Sequence, residues 1–292
     1  LQLVGQGVNV TRMKSKWLIL FIVFGLILTA CGGGSDDAAE VEEVVAEEPA
    51  ETLDAPATTA AAAEPEADPA SICLVLDIGG LGDLSFNDLA YSGYEKAIAD
   101  FGMEGTFLEP DGGGENRGEL LELCAEAGND LIIGNGFLFD ASMNEVAPNY
   151  PDLNFAITDG VAEPANVRGM LFDHAEGSFL AGVAAALKST NNHVGFLGGV
   201  DFPLIHEFEQ GFIAGVQAIN PDIVIEIGYA SVAPDFSGFN DVVKGKEIAL
   251  AQYEAGADVI YHAAGGTGTG MFEAAKEAVS YTHLRAHETS AY

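Results

Sequence analysis

Positive charge is what this sequence has least of: 11 Lys and Arg stand against 45 Asp and Glu, a formal net charge of −34. Nucleic acids and acidic lipid surfaces repel such a chain, so neither is expected as a partner. Cysteine is almost as scarce, with three in all, too few for a disulfide framework. Histidine is thin as well: His174, His193, His206 and His262 lie far apart and lack the repeated local spacing of a zinc site. No cofactor fingerprint stands out. "HAAGGTGTG" (262–270) has neither the Gly-Lys-Ser/Thr of a phosphate loop nor the glycine spacing of a dinucleotide fold. The sequence therefore calls for no metal and no cofactor.

Long apolar runs are also few. In "MKSKWLILFIVFGLILTACGGG" (13–34), residues 17–28 are apolar behind Lys14 and Lys16. About a dozen residues fall short of the roughly 20 that span a bilayer and suit a secretory signal. The "LTAC" ending resembles the lipobox of bacterial lipoproteins, which makes Cys31 the expected lipidation site and new N-terminus. An uncleaved anchor helix is the competing reading, and both put the body outside the cytoplasm, tethered to a membrane. Residues 1–12 precede a complete signal and read as upstream translation. Residues 31–70 form an acidic spacer rich in Ala, Pro and Glu. Such a segment has too little apolar surface to offset its ordering entropy and is expected to be disordered.

From residue 71 onward the chain alternates. Apolar runs of strand length fall at 72–78, 106–108, 131–133, 154–158, 168–172, 194–197, 223–229 and 259–261. Amphipathic helix patterns fall between most of them, at 86–101, 117–127, 141–149, 176–187, 203–219, 244–255 and 269–278. Fully apolar strands alternating with helices imply α/β architecture, with parallel sheets covered on both faces. "AGNDLII" and "AGADVIY" occupy equivalent places, so the same unit is expected in two lobes, 71–172 and 173–278. Cys73 sits in a strand and Cys124 in a helix pattern. Both read as buried small hydrophobes, with a disulfide open to them in an oxidising compartment. "AVSYTHLRAHETSAY" (278–292) departs from the acidic, glycine-punctuated style of the body. It resembles a translated sequencing-adapter tail, and 279–292 is set outside the fold on that reading, leaving the second lobe incomplete.

In open parallel sheets the ligand lies beyond the carboxyl ends of the strands. The first such loop, in "LDIGGLGDLSFNDLAYSGYEKA" (76–97), combines Asp77, Asp83, Ser85 and Asn87 with an aromatic, Phe86. A plain connector needs glycine and polar groups but no ring, whereas a pocket for a flat, polar, uncharged molecule needs this mixture. "DGGGEN" (111–116) reads weakly as an anion cradle and more readily as a glycine turn. Asp159 and Asp201 close strands and read as helix caps.

Four segments carry a closer resemblance: "DIGGLGDLSFNDLAYSGYEKA", "HAEGSFLAGVAAAL", "VGFLGGVDFPLIHEFEQGFIAGVQAINPDI" and "KGKEIALAQYEAGADVIYHAAGGTGTGMFEAAKEA". In this order they resemble the basic membrane protein family, the PnrA-like substrate-binding lipoproteins of ABC transporters. The resemblance implies a periplasmic-binding-protein type I fold with two Rossmann-like lobes and a purine nucleoside in the cleft. It also implies a permease partner and a monomeric receptor. The base would lie between two rings. One is Phe86; Phe208 is the candidate for the other, with core packing as its competing role. Asp77, Asp83, Ser85 and Asn87 would supply acceptors and donors, and Gly265 and Gly266 would let backbone approach the sugar. An acidic residue after the "GF" loop contacts the base in the family. Asp140 is nearest here, one position early, opposite Ala141. The family's remaining acidic strand and lysine fall beyond the "FEAAKEA" helix.

Three function classes follow. The first is a lipid-anchored receptor that closes on purine nucleosides and delivers them to a permease. The second is the same fold with a sugar or signalling molecule. The third is an extracytoplasmic enzyme such as a nucleoside hydrolase, for which no Ser-His-Asp set or nucleophile elbow is seen.

Overall fold

The computed structural model describes residues 69–278 and 283–285; the expected signal, Cys31 and the expected acidic spacer lie outside the described residues. The first sheet is all parallel, in the order β2-β1-β3-β4-β5. Its strands are β1 (Ser71–Val75), β2 (Glu104–Leu108), β3 (Leu131–Gly134), β4 (Asn154–Thr158) and β5 (Val167–Met170). Helices α1 (Phe86–Phe101), α2 (Arg117–Glu126) and α3 (Asp140–Val146) connect the first four. The second sheet, also parallel, runs β7-β6-β8-β9. It consists of β6 (His193–Asp201), β7 (Val224–Val232), β8 (Val259–Ala263) and β9 (His283–Arg285). Around it lie α4 (His174–Lys188), α5 (Pro203–Ile219), α6 (Val242–Ala255) and α7 (Gly268–Glu277).

Period-two alternation along each strand makes two cores per lobe. Cys73 and Val75 join Leu121, Phe139 and Phe155 on one face of the first sheet, while Ile72, Leu74 and Leu76 join Tyr94 on the other. In the second lobe Phe196 packs with Phe212 and Tyr261, and its neighbour Leu197 packs on the opposite face with Ile260 and Met271. The two cysteines, expected as buried, are both buried and joined: Cys73 of β1 is disulfide-bonded to Cys124 of α2.

Element ends differ from expectation where side chains capture the backbone. β1 stops at Val75 rather than at residue 78, and the Asp77 N–H goes to the Asn87 side chain at 2.9 Å. α4 begins at His174, two residues early, because the Asp173 carboxylate accepts the Glu176 N–H at 3.0 Å. β5 ends at Met170, so Leu171 and Phe172 stand exposed in the crossing between the lobes. β9 departs from the sequence expectation: it lies within the stretch set apart as a tail, and its backbone pairs parallel with Ile260–His262 of β8.

Candidate functional site

The β1–α1 loop is built by its own polar side chains. Asp83 accepts N–H groups from Ser85 (2.8 Å), Asn87 (2.9 Å) and Asp88 (3.1 Å), the work of a helix cap at the start of α1. The Asn87 amide reaches Asp83 Oδ2 and the Ile78 carbonyl, both at 3.2 Å, and its oxygen also takes the Asn135 amide. Asp88 accepts the Gly82 and Leu84 N–H groups at 2.7 and 2.9 Å, bracketing backbone of positive φ at Gly82 and Leu84. This network places Phe86 as the first residue of α1. Burial raises the Asp83 carboxyl above the ordinary range, and the three N–H groups oppose that rise.

A cavity opens between the lobes at the carboxyl ends of both sheets. Asp77, Asp83, Phe86, Asn87, Gly136, Phe137 and Asp159 line it from the first lobe. Leu204, Ile205, Phe208, Phe239, Ala263 and Gly265 line it from the second. Six of the residues singled out from the sequence therefore converge: Asp77, Asp83, Phe86, Asn87, Phe208 and Gly265. Three do not line the cavity. Ser85 is buried beneath the loop, with its N–H held by Asp83. Gly266 packs on Asn240; a Cβ there would lie 2.9 Å from Oδ1 of that residue. Asp140 opens α3 and faces Gly160, where a Cβ would come within 2.4 Å of its Oδ1, and burial raises its carboxyl. At Gly265, where φ is +52°, a Cβ would lie only 3.0 Å from the Phe239 carbonyl oxygen, so the lack of a side chain serves protein packing as well as the cleft.

Several lining residues were missed in the sequence. Asp159, read as a helix cap, sits at φ +56° past β4 and lines the cavity. Its Oδ1 lies 3.2 Å from His174 Nε2, both side chains being buried. The His174 ring in turn stacks on Phe208, with centroids 4.4 Å apart and planes at 24°. One histidine at the start of the second lobe thus backs a carboxylate of one wall and an aromatic ring of the other. Phe137 stacks on Phe202 at 4.9 Å and meets Phe236 and Phe239 edge-on, a ring cluster joining the two lobes. The available signal was positional: "GNGFLFD", "TDG" and "GGVDFP" all fall at the carboxyl ends of strands, where ligand loops are expected.

Chemically, the cavity offers aromatic faces and carboxylate acceptors, a combination that receives a flat molecule carrying N–H or O–H donors. Among the described residues no group of three or more His, Cys, Asp or Glu is arranged to hold a metal ion.

Comparison with known proteins gives a consistent result. A family model described as "ABC transporter substrate-binding protein PnrA-like" matches residues 71–286. The "CD4+ T-cell-stimulating antigen" of Listeria innocua is 35% identical over 265 residues, covering 89% of this chain and 66% of that protein. The "ABC transporter nucleoside-binding protein BmpA" of Lactococcus lactis is 35% identical over 211 residues, covering 70% of this chain and 57% of that one. Among solved structures, a solute-binding protein of an ABC transporter system from Aeropyrum pernix superposes with a TM-score of 0.65 at 31% identity, covering 73% of this chain and 61% of the other. The chain thus spans between 57% and 66% of the length of these relatives.

Proposed function

The chain belongs to the PnrA-like family of ABC transporter substrate-binding proteins, and on that footing we propose that it captures purine nucleosides outside the cytoplasm and hands them to a permease. The observation that carries this reading is the pairing of Phe86 from one lobe with Phe208 from the other on a single cavity that also holds Asp77 and Asp159. Stacking rewards any large flat π-face, by about 1–3 kcal/mol per base, and the carboxylates accept hydrogen bonds from base or ribose donors. The Lactococcus relative carries "nucleoside-binding" in its name, which favours this ligand over a lone sugar. Capture works by lobe closure: a ligand that touches both walls binds the closed state more tightly and shifts the population toward it. The protein acts as a carrier without turnover and works as a monomer.

The Cys73–Cys124 disulfide supports an oxidising, extracytoplasmic location, and the "LTAC" sequence supports lipid anchoring through Cys31. Calorimetric titration with inosine, followed by chromatography of the mixture, tests the reading. One inosine per chain, recovered intact, is the expected result, with affinity at least tenfold weaker in Phe86→Ala, about 1.4 kcal/mol. Release of free base would replace the receptor with an enzyme.

A further inference from the structure

Arg117 is a buried arginine that does not line the cavity, yet it is bonded to a residue that does. Its Nε donates to Asp77 Oδ1 at 2.9 Å, Nη2 donates to the same oxygen, and Nη1 donates to the Gly114 carbonyl at 2.8 Å. The guanidinium carbon lies 5.6 Å from the centroid of the Phe139 ring. Gly114, at φ +74°, closes over it so tightly that a Cβ would fall 2.4 Å from Nη2. The glycine turn at 111–116 therefore wraps the protein's own cation instead of a bound anion.

The consequence falls on Asp77. Its Oδ1 takes both Arg117 donors and also the Ile78 N–H at 2.8 Å. Its Oδ2 is turned toward Gly136, where φ is +130° and a Cβ would lie 2.6 Å away. Both Asp77 and Gly136 line the cavity. Oδ1 is thus saturated from behind, while Oδ2 lies against Gly136, which lines the cavity as Asp77 does.

We propose that Arg117 is a positioning residue of the cleft: by holding Oδ1 of Asp77, it fixes Oδ2 as an acceptor aimed at the solute and so selects molecules that present an N–H or O–H donor there. The proposal rests on the reading of this cavity as the solute site. An ionised carboxylate only accepts hydrogen bonds, whereas a protonated one also donates. Burial raises the Asp77 carboxyl, while the Arg117 charge and hydrogen bonds pull it down. The other ionisable groups on the same cavity, Asp83 of the β1–α1 loop and Asp159 past β4, are carboxylates and give Asp77 no replacement for Arg117. Without the guanidinium, Asp77 takes up a proton at higher pH, and its carboxyl is no longer restricted to accepting.

The test compares the wild-type chain with Arg117→Met, Arg117→Lys and the double variant Arg117→Met with Asp77→Asn. Carboxyl carbon NMR, with the Asp77 signal assigned by its loss in Asp77→Asn, follows protonation without any ligand. Inosine affinity is measured between pH 5.5 and 8 on the same samples. The Asp77 midpoint is expected to rise by about 1–3 pH units in Arg117→Met. Inosine affinity in that variant is expected to fall about tenfold toward the acid end, with Arg117→Lys closer to wild type and the double variant flat. An unmoved Asp77 midpoint overturns the proposal whatever the ligand does. A moved midpoint with unchanged inosine affinity overturns it too, since Oδ2 would then not face the solute. If wild type binds no nucleoside while the midpoint moves, the nucleoside reading fails and the donor-selecting role falls with it. Should Arg117→Met not fold, the smaller displacements in Arg117→Lys decide the same points.

Discussion

At the scale of single residues, the cleft depends on side chains that never reach its surface. His174 is the sharpest case: it contacts Asp159 on one side and the Phe208 ring on the other. A stacked ring pair contributes about 0.5–1.5 kcal/mol beyond its buried area, to which the 3.2 Å approach of His174 Nε2 to Asp159 Oδ1 adds. Because the solute recovers part of this order on binding, we expect His174→Ala to weaken inosine about 5- to 30-fold, an amount equivalent to 1–2 kcal/mol. His174→Phe, which keeps the stack and loses the contact with Asp159, should fall between the two in the same titration. Equal affinity in all three would show that neither wall needs this support. The sequence made Phe86 legible, because an aromatic among loop-forming polar residues has no local task. It concealed Asp83 and Asn87 as loop builders, since a side chain bonded to backbone two to ten positions away looks the same on paper as one awaiting a ligand. His174 was unreadable for another reason: its partners are 15 residues before it and 34 after it, brought together only when the second lobe folds back on the first.

At the scale of elements, the strands were legible because both faces are covered, which turns each into a short apolar run such as "SICLV" or "VIYHA". Their ends were less so, since β1 and α4 are bounded by the captures made by Asn87 and Asp173. The pairing of Cys73 with Cys124 ties β1, an interior strand of the first sheet, to α2, the helix that carries Arg117. With a sequence separation of 51 between the cysteines, loop-closure entropy puts its contribution at about 4 kcal/mol, and measured losses for such bonds run about 2–5 kcal/mol. Reduction is therefore expected to lower the urea midpoint of the first lobe markedly. The measurement is a pair of urea curves with and without dithiothreitol, and coincident curves would contradict the expectation. In the second lobe α4 and α5 approach through glycines. A Cβ at Gly215 would lie 2.0 Å from the Phe179 carbonyl oxygen, and one at Gly182 would lie 2.1 Å from that of Phe212. This close contact explains why "AEGSFLAG" and "QGFIAGV" carry glycine within helices that would otherwise favour alanine.

At the scale of the whole molecule, two lobes face each other across one cleft, with Phe137 set among Phe202, Phe236 and Phe239 where they meet. The acidic excess and the buried tyrosines give this body a distinct response to pH. Burial pushes Tyr253 up to about 12, and burial raises Tyr261 and Tyr229 further, the latter with help from Glu209. The stability that such groups contribute is complete below the unfolded value of 10.0 and is lost as pH rises toward the folded values. The melting temperature should therefore drop between pH 10 and 12, less steeply in Tyr253→Phe, and a flat profile would contradict the burial of these rings. Whether the cleft takes purine nucleosides is decided by melting the chain with inosine, guanosine, adenosine, cytidine and ribose in turn. A ligand at 100 times its Kd adds about 2.7 kcal/mol, worth about 5–10 °C for a body of this size. That rise is expected with the purine nucleosides and little of it with cytidine or ribose; an unmoved transition with all five, in a chain that melts cooperatively, would rule out the nucleoside ligand.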